Sequence, residues 1–331
     1  MRAFVVTGPG VAGVSEVPEP VAAPGEVVVD VERAGVCGTD VEFFTGEMQY
    51  LAEGHARYPM RLGHEWCGTV SAAGAGVDRA WLGRRVTGDT MLGCGRCRSC
   101  LGGHQHVCAQ RQEVGIRGGR HGALAEQLAV PVTSVHELPA GLDPALGALV
   151  EPGGNAFRAA RAAAGERVLV LGPGTIGLLT ALFLRAAGSE VHLAGTTPWS
   201  VEFACSLGFA AGTAPPPLPF DAVVDATGDP ASPAHAVELV QPAGRVVYIG
   251  LAGEPSPVDT RNLVLKDITA VGILSASPGL RATIDAYAAG EVDPRPLVAA
   301  TVGLADVAAV LAGQRPPGAT AGPKIHVDPR T

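Results

Sequence analysis

Lysine is nearly missing from this chain: Lys266 and Lys324 are two among 24 basic residues, and the other 22 are arginines. That usage reads as coding bias in a GC-rich genome rather than as function. Basic charge is short overall. The formal net charge is −8, with no basic stripe or charge block, which argues against binding to nucleic acid or to an anionic membrane. No apolar run approaches the ~20 residues of a membrane span. Met1–Val6 is too short for the apolar core of a signal peptide, so a cytoplasmic protein is expected. No internal repeat occurs. Beyond residue 109 a single cysteine remains, Cys205, which reads as core packing. Apolar residues, by contrast, make up 47% of the chain, enough for a substantial core. With 45 glycines and 27 prolines the chain is rich in turns, and its 331 residues suit two domains.

The other six cysteines lie before residue 109. Four of them, Cys94, Cys97, Cys100 and Cys108, follow the spacing C-x2-C-x2-C-x7-C. Four thiolates so spaced can close a tetrahedral shell around one Zn²⁺ and staple a lobe that lacks its own core. An iron–sulfur run would end in a shorter gap and Cys-Pro, whereas Ala109 follows Cys108. Disulfides are disfavoured in a reducing compartment. A second signal is more dispersed. Cys37 stands in Gly35-Val36-Cys37-Gly38-Thr39-Asp40, His64 in Gly63-His64-Glu65, and Glu151 before Pro152. One thiolate, one imidazole and one or two carboxylates make a mixed zinc site that can keep a position open for substrate. Each piece alone has a plainer explanation, a buried small hydrophobe or a packing pair.

Arg167–Leu171 reads as a buried strand, followed at once by Gly172-Pro173-Gly174-Thr175-Ile176-Gly177 and an apolar helix. Strand, G-x-G-x-x-G, helix is a dinucleotide fingerprint: the glycines permit a tight turn and close approach of a pyrophosphate to the helix N-terminus around Thr175 and Ile176. The carboxylate that reads the ribose 2′-OH stands ~20 residues further on, at the end of the next strand. Here that place falls at Gly195, followed by Thr196 and Thr197. Without a carboxylate there is no repulsion of a 2′-phosphate. Gly195 is read as leaving room for it, with two threonine hydroxyls as donors, so NADP is favoured over NAD.

The first part of the chain is strand-rich, with strands expected at 27–31, 67–73, 84–88 and 123–130. From about Pro144 helices and strands alternate, with strands at 167–171, 190–194, 221–226, 245–250 and 268–273, the pattern of a doubly wound parallel α/β sheet. The segment 278–290 is expected to be a helix and 324–327 a closing strand. Between Phe209 and Phe220 three consecutive prolines disfavour helix, so one crossover helix is expected to be replaced by a loop. Gly153-Gly154 inside a helical stretch has two readings, close backbone approach to a cofactor or a simple helix break.

Taken in order and spacing, these motifs resemble the zinc-containing medium-chain dehydrogenase/reductase family, nearest its sorbitol and threonine dehydrogenases. The resemblance implies a β-rich, GroES-like catalytic domain (1–143 and 275–331, with a structural zinc lobe at 92–110) and a Rossmann domain (144–274). It implies an active site in the cleft between them and a homo-oligomer, dimer or tetramer. It implies two zincs per chain and NAD(P)-dependent interconversion of a secondary alcohol and a ketone. Cys37, His64 and Glu151 would ligate the catalytic zinc. Glu65 would be an exchangeable ligand or a carboxylate one water away. Thr39 would relay the proton, and Asp40 would orient the ligands. The threonine-dehydrogenase branch carries a relay histidine where this chain has Glu42, which puts that relay in question. Glu42, Glu47, His55, Arg57 and His121 together favour a polar substrate. The stretches Phe43–Tyr50 and His55–Pro59 also resemble dehydrogenases of aminocyclitol pathways. Two rival classes are a zinc-free quinone or enoyl reductase of the same fold and a non-catalytic zinc-binding interaction protein.

Overall fold

The computed structural model describes all 331 residues. The chain forms two compact units, Met1–Glu151 with Arg295–Thr331, and Pro152–Pro294. In the first unit an 11-residue strand, Glu26–Val36, is the spine of a seven-stranded sheet. It pairs antiparallel with Glu65–Ala73 on one side, with Lys324–Val327 on the other, and with Gln127–Pro131 along its first half. Its valines Val27, Val28 and Val29 are all buried because both faces are covered. Trp66, Phe4, Phe43, Leu62 and Leu124 fill the core beside it. Cys37 lies one residue beyond this strand and Glu65 begins its partner, so the sheet itself brings the sequence-distant motifs together.

In the second unit six parallel strands stand in the order Ala210–Gly212, Glu190–Ala194, Arg167–Leu171, Phe220–Asp225, Val240–Tyr248, Thr269–Gly272. The order reverses direction beside Arg167–Leu171, the switch point where doubly wound sheets bind nucleotides. That central strand is buried from Val168 to Leu171, as expected for a strand covered on both faces. No helix lies between Ala210–Gly212 and Phe220–Asp225; the proline run takes its place. The exchange leaves a hollow of about 220 Å³ beside His192, Leu193, Ala210 and Pro216.

Three details differ from the sequence reading. The units meet in sequence at 151/152 and 294/295 rather than at 143/144 and 274/275. Helix Pro144–Ala148 belongs with the first unit because Gly147 lies against Cys67, whose thiol reaches Pro144 O at 3.3 Å. Helix Leu280–Ala288 belongs with the second because Tyr287 stacks on Phe183, ring centroids 6.0 Å apart. Gly153 and Gly154 neither break their helix, Val150–Ala162, nor need a cofactor to explain them. A Cβ on Gly153 would run into the Tyr287 hydroxyl and lie 2.7 Å from Thr283 Cγ2, and one on Gly154 would lie 2.9 Å from Ala276 Cβ. Close packing of elements requires both glycines. Finally, Cys205 is exposed, not core: helix Pro198–Ser206 buries Phe203 and Ala204 and turns Cys205 outward.

Candidate active site and metal centres

Cys94, Cys97, Cys100 and Cys108 bring their four sulfurs within 4.8 Å of one another. Cys94 Sγ is 3.9 Å from Cys100 Sγ, and Cys97 Sγ is 3.7 Å from Cys108 Sγ. Zn–S bonds of ~2.3 Å at tetrahedral angles put sulfurs ~3.8 Å apart, whereas a disulfide needs ~2.05 Å. The four therefore fit one zinc ion, and all of them are free thiols. Backbone N–H groups of Cys100 and Gln110 point at the sulfurs of Cys97 and Cys108, at 3.5 and 3.4 Å. Donors from Arg96 and Cys97 pull the Cys94 thiol down to about 6, while burial pushes Cys100 up to about 11. The loop closes this tightly because Gly93 lacks a side chain; a Cβ there would lie 2.6 Å from Cys100 Sγ.

A second convergent set is Cys37, His64 and Glu65, again with ligand atoms within 4.8 Å. Asp40, fully buried, organises it. Its Oδ2 accepts the Cys37 N–H at 2.9 Å, and its Oδ1 accepts the Gly63 N–H at 3.2 Å. Oδ1 also lies 3.8 Å from His64 Nδ1, which leaves the other ring nitrogen for the set. Burial opposes charge on His64, but Asp40, Cys37 and Glu151 outweigh it and hold the imidazole well above its ordinary pKa. Glu151 stands outside the convergent set. The Thr90 hydroxyl joins it to the site, 3.2 Å from Glu151 Oε1 and 3.2 Å from His64 O. Burial, with Glu65 and Asp89, pushes Glu151 up to about 7. Soft thiolate, imidazole and buried carboxylates crowded together are a donor set suited to Zn²⁺.

Glu65 has a partner that sequence reasoning missed. Lys324 Nζ donates to Glu65 Oε1 at 2.7 Å, to Oε2 at 2.8 Å and to Val36 O at 2.9 Å. Both side chains are buried, 3% and 1% exposed. The carboxylate lies directly over Gly35, where any Cβ would collide with Oε2. Thr39 sits in the first turn of helix Gly38–Thr45, partly exposed. Beside Cys37 a hollow of about 250 Å³ opens between that helix and Val310, Gln314, Arg315 and Pro323.

The polar residues expected around a substrate have different partners. Glu42 is raised by burial and by Glu47. His55 touches Arg117 at 3.3 Å and meets Tyr50 edge-on. His121 is lowered by burial and by Arg61 and Arg120. Arg57 is exposed.

In the second unit each fingerprint glycine has its own reason. Gly172 turns at φ +87°, Gly174 has nothing within 4 Å of where a Cβ would stand, and a Cβ on Gly177 would strike Gly172 O. They are, in order, the tight turn, the open approach and the close strand–helix contact of a dinucleotide site. The N–H groups of the turn and of helix Thr175–Ala186 begin there. At Gly195 the place of a side chain is already filled. Its missing Cβ would lie 2.6 Å from Pro173 Cγ.

Residues 23–140 match the family described as Alcohol dehydrogenase GroES-like domain, and residues 175–289 match Zinc-binding dehydrogenase. An L-threonine 3-dehydrogenase of Streptomyces avermitilis is 35% identical over 276 residues, 78% of this chain and 79% of that protein. The chain belongs to the zinc-containing medium-chain dehydrogenase/reductase family. By class it is an NAD(P)-dependent zinc alcohol/polyol dehydrogenase. Two solved structures are similar over the whole length. A putative zinc-binding dehydrogenase from Sinorhizobium meliloti 1021 bound to NADP has TM-score 0.88, 28% identity and 99% coverage of both chains. A galactitol-1-phosphate dehydrogenase from Escherichia coli has TM-score 0.87 and 25% identity, covering 99% of this chain and 100% of its own. No helix is long and apolar enough to cross a membrane.

Proposed function

We propose that this dehydrogenase interconverts a secondary alcohol and a ketone on a polar polyol, sugar or (amino)cyclitol, with NADP(H) preferred and two zincs per chain. The observation that carries the reading is the convergence of Cys37, His64 and Glu65 beside Thr90 and Glu151. Cys37, His64 and Glu151 would hold the catalytic zinc, with Glu65 exchangeable; Cys94, Cys97, Cys100 and Cys108 would hold the structural one. Zinc, when bound, lowers the pKa of an alcohol or polarises a carbonyl, and the coenzyme carries the hydride. Asp40 keeps the Cys37 and His64 loops in register through its bonds to the N–H groups of Cys37 and Gly63. Lys324 balances the charge of Glu65 and holds both of its oxygens by hydrogen bonds, so the carboxylate would have to give up part of that pair to ligate zinc. Thr39 passes the hydroxyl proton outward. Gly172, Gly174 and Gly177 would cradle the pyrophosphate with Thr175 and Ile176, and Gly195, Thr196 and Thr197 would border the adenosine ribose.

A polar substrate is supported by the named relatives, a threonine and a galactitol-1-phosphate dehydrogenase. The acidic pair Glu42 and Glu47 would receive a protonated amine, which favours an aminocyclitol. A homo-oligomer is supported by the unpaired edge strand Thr269–Gly272 and by Leu251, Val264 and Leu265, each at least 80% exposed. A cytoplasmic location is consistent with the free thiols.

Metal analysis and turnover test the reading together. We expect two zincs per chain and coenzyme reduction with polyols, amino alcohols or cyclitols. One zinc per chain, with turnover of quinones or enones only, would instead identify a zinc-free reductase that keeps its lobe. Failure to bind either coenzyme would identify a non-catalytic zinc protein.

A further inference from the structure

Glycine at 195 is required by a neighbour, not by its own backbone. Its φ is outside the left-handed region, so a side chain would be conformationally acceptable. The obstacle is the loop beneath it. A Cβ on Gly195 would stand 2.6 Å from Pro173 Cγ, 2.9 Å from Pro173 Cδ and 2.9 Å from Ser200 Oγ. Non-bonded carbons rest ~3.5–4.0 Å apart, so the overlap is severe.

The serine hydroxyl ends a rotatable side chain and can move; the proline cannot. The proline ring is fused to its own backbone. That backbone is anchored next door, where Gly172 donates its N–H to Ala194 O at 2.9 Å. Gly195 is fixed in turn by its N–H to Gly212 O at 3.0 Å. Ser200 Oγ donates to Thr197 O at 3.0 Å and accepts from Thr197 Oγ1 at 2.8 Å. The fingerprint turn and the end of the second strand are therefore interlocked around a space that only glycine fits.

We propose that Pro173, and not Gly195 alone, decides how the ribose 2′-position is read. Its ring bars any carboxylate from position 195, and a carboxylate there is the group that bonds a 2′-OH and repels a 2′-phosphate. The inference deepens the NADP(H) reading and rests on it for the direction of preference. Its chemistry is steric exclusion inside the second unit, so a single substitution at 195 is insufficient to change coenzyme.

The test compares wild type, Gly195→Asp, Pro173→Ala and the double variant. NADPH and NADH are the probes; dissociation constants come from their fluorescence, and melting temperatures are read on the same samples. Gly195→Asp alone should melt lower than wild type and bind both coenzymes more weakly, with little change in their ratio. The double variant should recover the melting temperature of Pro173→Ala. Its NADH-to-NADPH affinity ratio should move toward NADH by ~10- to ~100-fold, the worth of one charge-assisted contact. A merely structural role for Pro173 would restore melting without moving that ratio, and would overturn the proposal. So would Gly195→Asp melting like wild type and switching coenzyme unaided. A wild type that prefers NADH, with the double variant shifted further, would uphold the exclusion and refute the NADP(H) reading instead.

Discussion

Replacing Lys324 by methionine removes the only cation that touches Glu65 while keeping the stem that fills its channel. In the wild type the ammonium bonds Oε1 at 2.7 Å and Oε2 at 2.8 Å, with both side chains almost entirely buried. The variant leaves a carboxylate in that place with Cys37 and Asp40 as neighbours. Breaking one partner out of a buried pair costs ~3–5 kcal/mol. In a unit of this size each kcal/mol is ~2–4 °C of melting temperature, so a fall on the order of 10 °C is expected for metal-stripped protein at pH 8. Two dependences identify the cause. Removing the carboxylate should narrow the gap, because Glu65→Gln leaves no charge for the missing ammonium to balance. Zinc should narrow it too, because the carboxylate then gains a cation. The assay is differential scanning at pH 8 of wild type, Lys324→Met, Glu65→Gln and the double variant, stripped and zinc-loaded. Lys324→Met costing as much in the Glu65→Gln background as in wild type, or nothing in either, would refute the ion-pair account.

Cys37→Ser or His64→Ala should abolish turnover while the melting curve and coenzyme binding persist; full activity in either would remove the catalytic-zinc assignment. Cys97→Ser should lose one zinc of two, melt lower and aggregate, with residual activity in the soluble fraction, since a four-thiolate site contributes folding free energy. An unchanged zinc count would contradict it. Glu151, pushed up to about 7 on folding, contributes stability to metal-stripped protein that is lost as pH rises from the ordinary carboxylate range through 7. Stripped Glu151→Gln should therefore lose less stability than stripped wild type between pH 5 and 8, while His121, His326 and Cys94, all lowered on folding, contribute in the opposite direction to both proteins alike. Chemical denaturation of the two across that range checks the sign; a steeper fall in Glu151→Gln would be the contrary result.

What was legible in the sequence was local. The four-cysteine spacing, the glycine fingerprint and the proline run each act within about twenty residues, so the chain displays them as strings. The proline run illustrates the limit of propensity used well: three residues without donors left no helix between Ala210–Gly212 and Phe220–Asp225. What was not legible depended on partners far along the chain. Lys324 meets Glu65 across 259 residues. Gly153 and Gly154 looked like a break or a cofactor contact because the residues that crowd them, Ala276, Thr283 and Tyr287, are more than a hundred positions away. At Gly195 distance is not the reason: Pro173 and Ser200 are close in sequence, but an absent side chain is silent about whether a neighbour fills its place.

Lysine usage shows how such partners become readable once the contacts are known. The scarcity of lysine looked like genome composition alone, yet both survivors occupy sites that suit an ammonium and not a guanidinium. An ammonium offers three donors in a tetrahedral cone, a guanidinium five in a plane. Lys324 uses all three, on Glu65 Oε1, Glu65 Oε2 and Val36 O. Lys266 also uses three, on the carbonyls of Val237, Glu238 and Val240 at 3.0, 2.7 and 3.1 Å. Those carbonyls close helix Ser232–Leu239, whose C-terminal dipole a cation stabilises. An arginine at 324 would bring surplus N–H groups into a buried site, at ~1–3 kcal/mol for each left unpaired. Lys324→Arg should therefore melt below wild type although the charge is kept. Lys266→Arg, half-buried, should lose less. If both arginine variants melt like wild type, the two lysines are remnants of codon usage after all, and the donor count explains nothing.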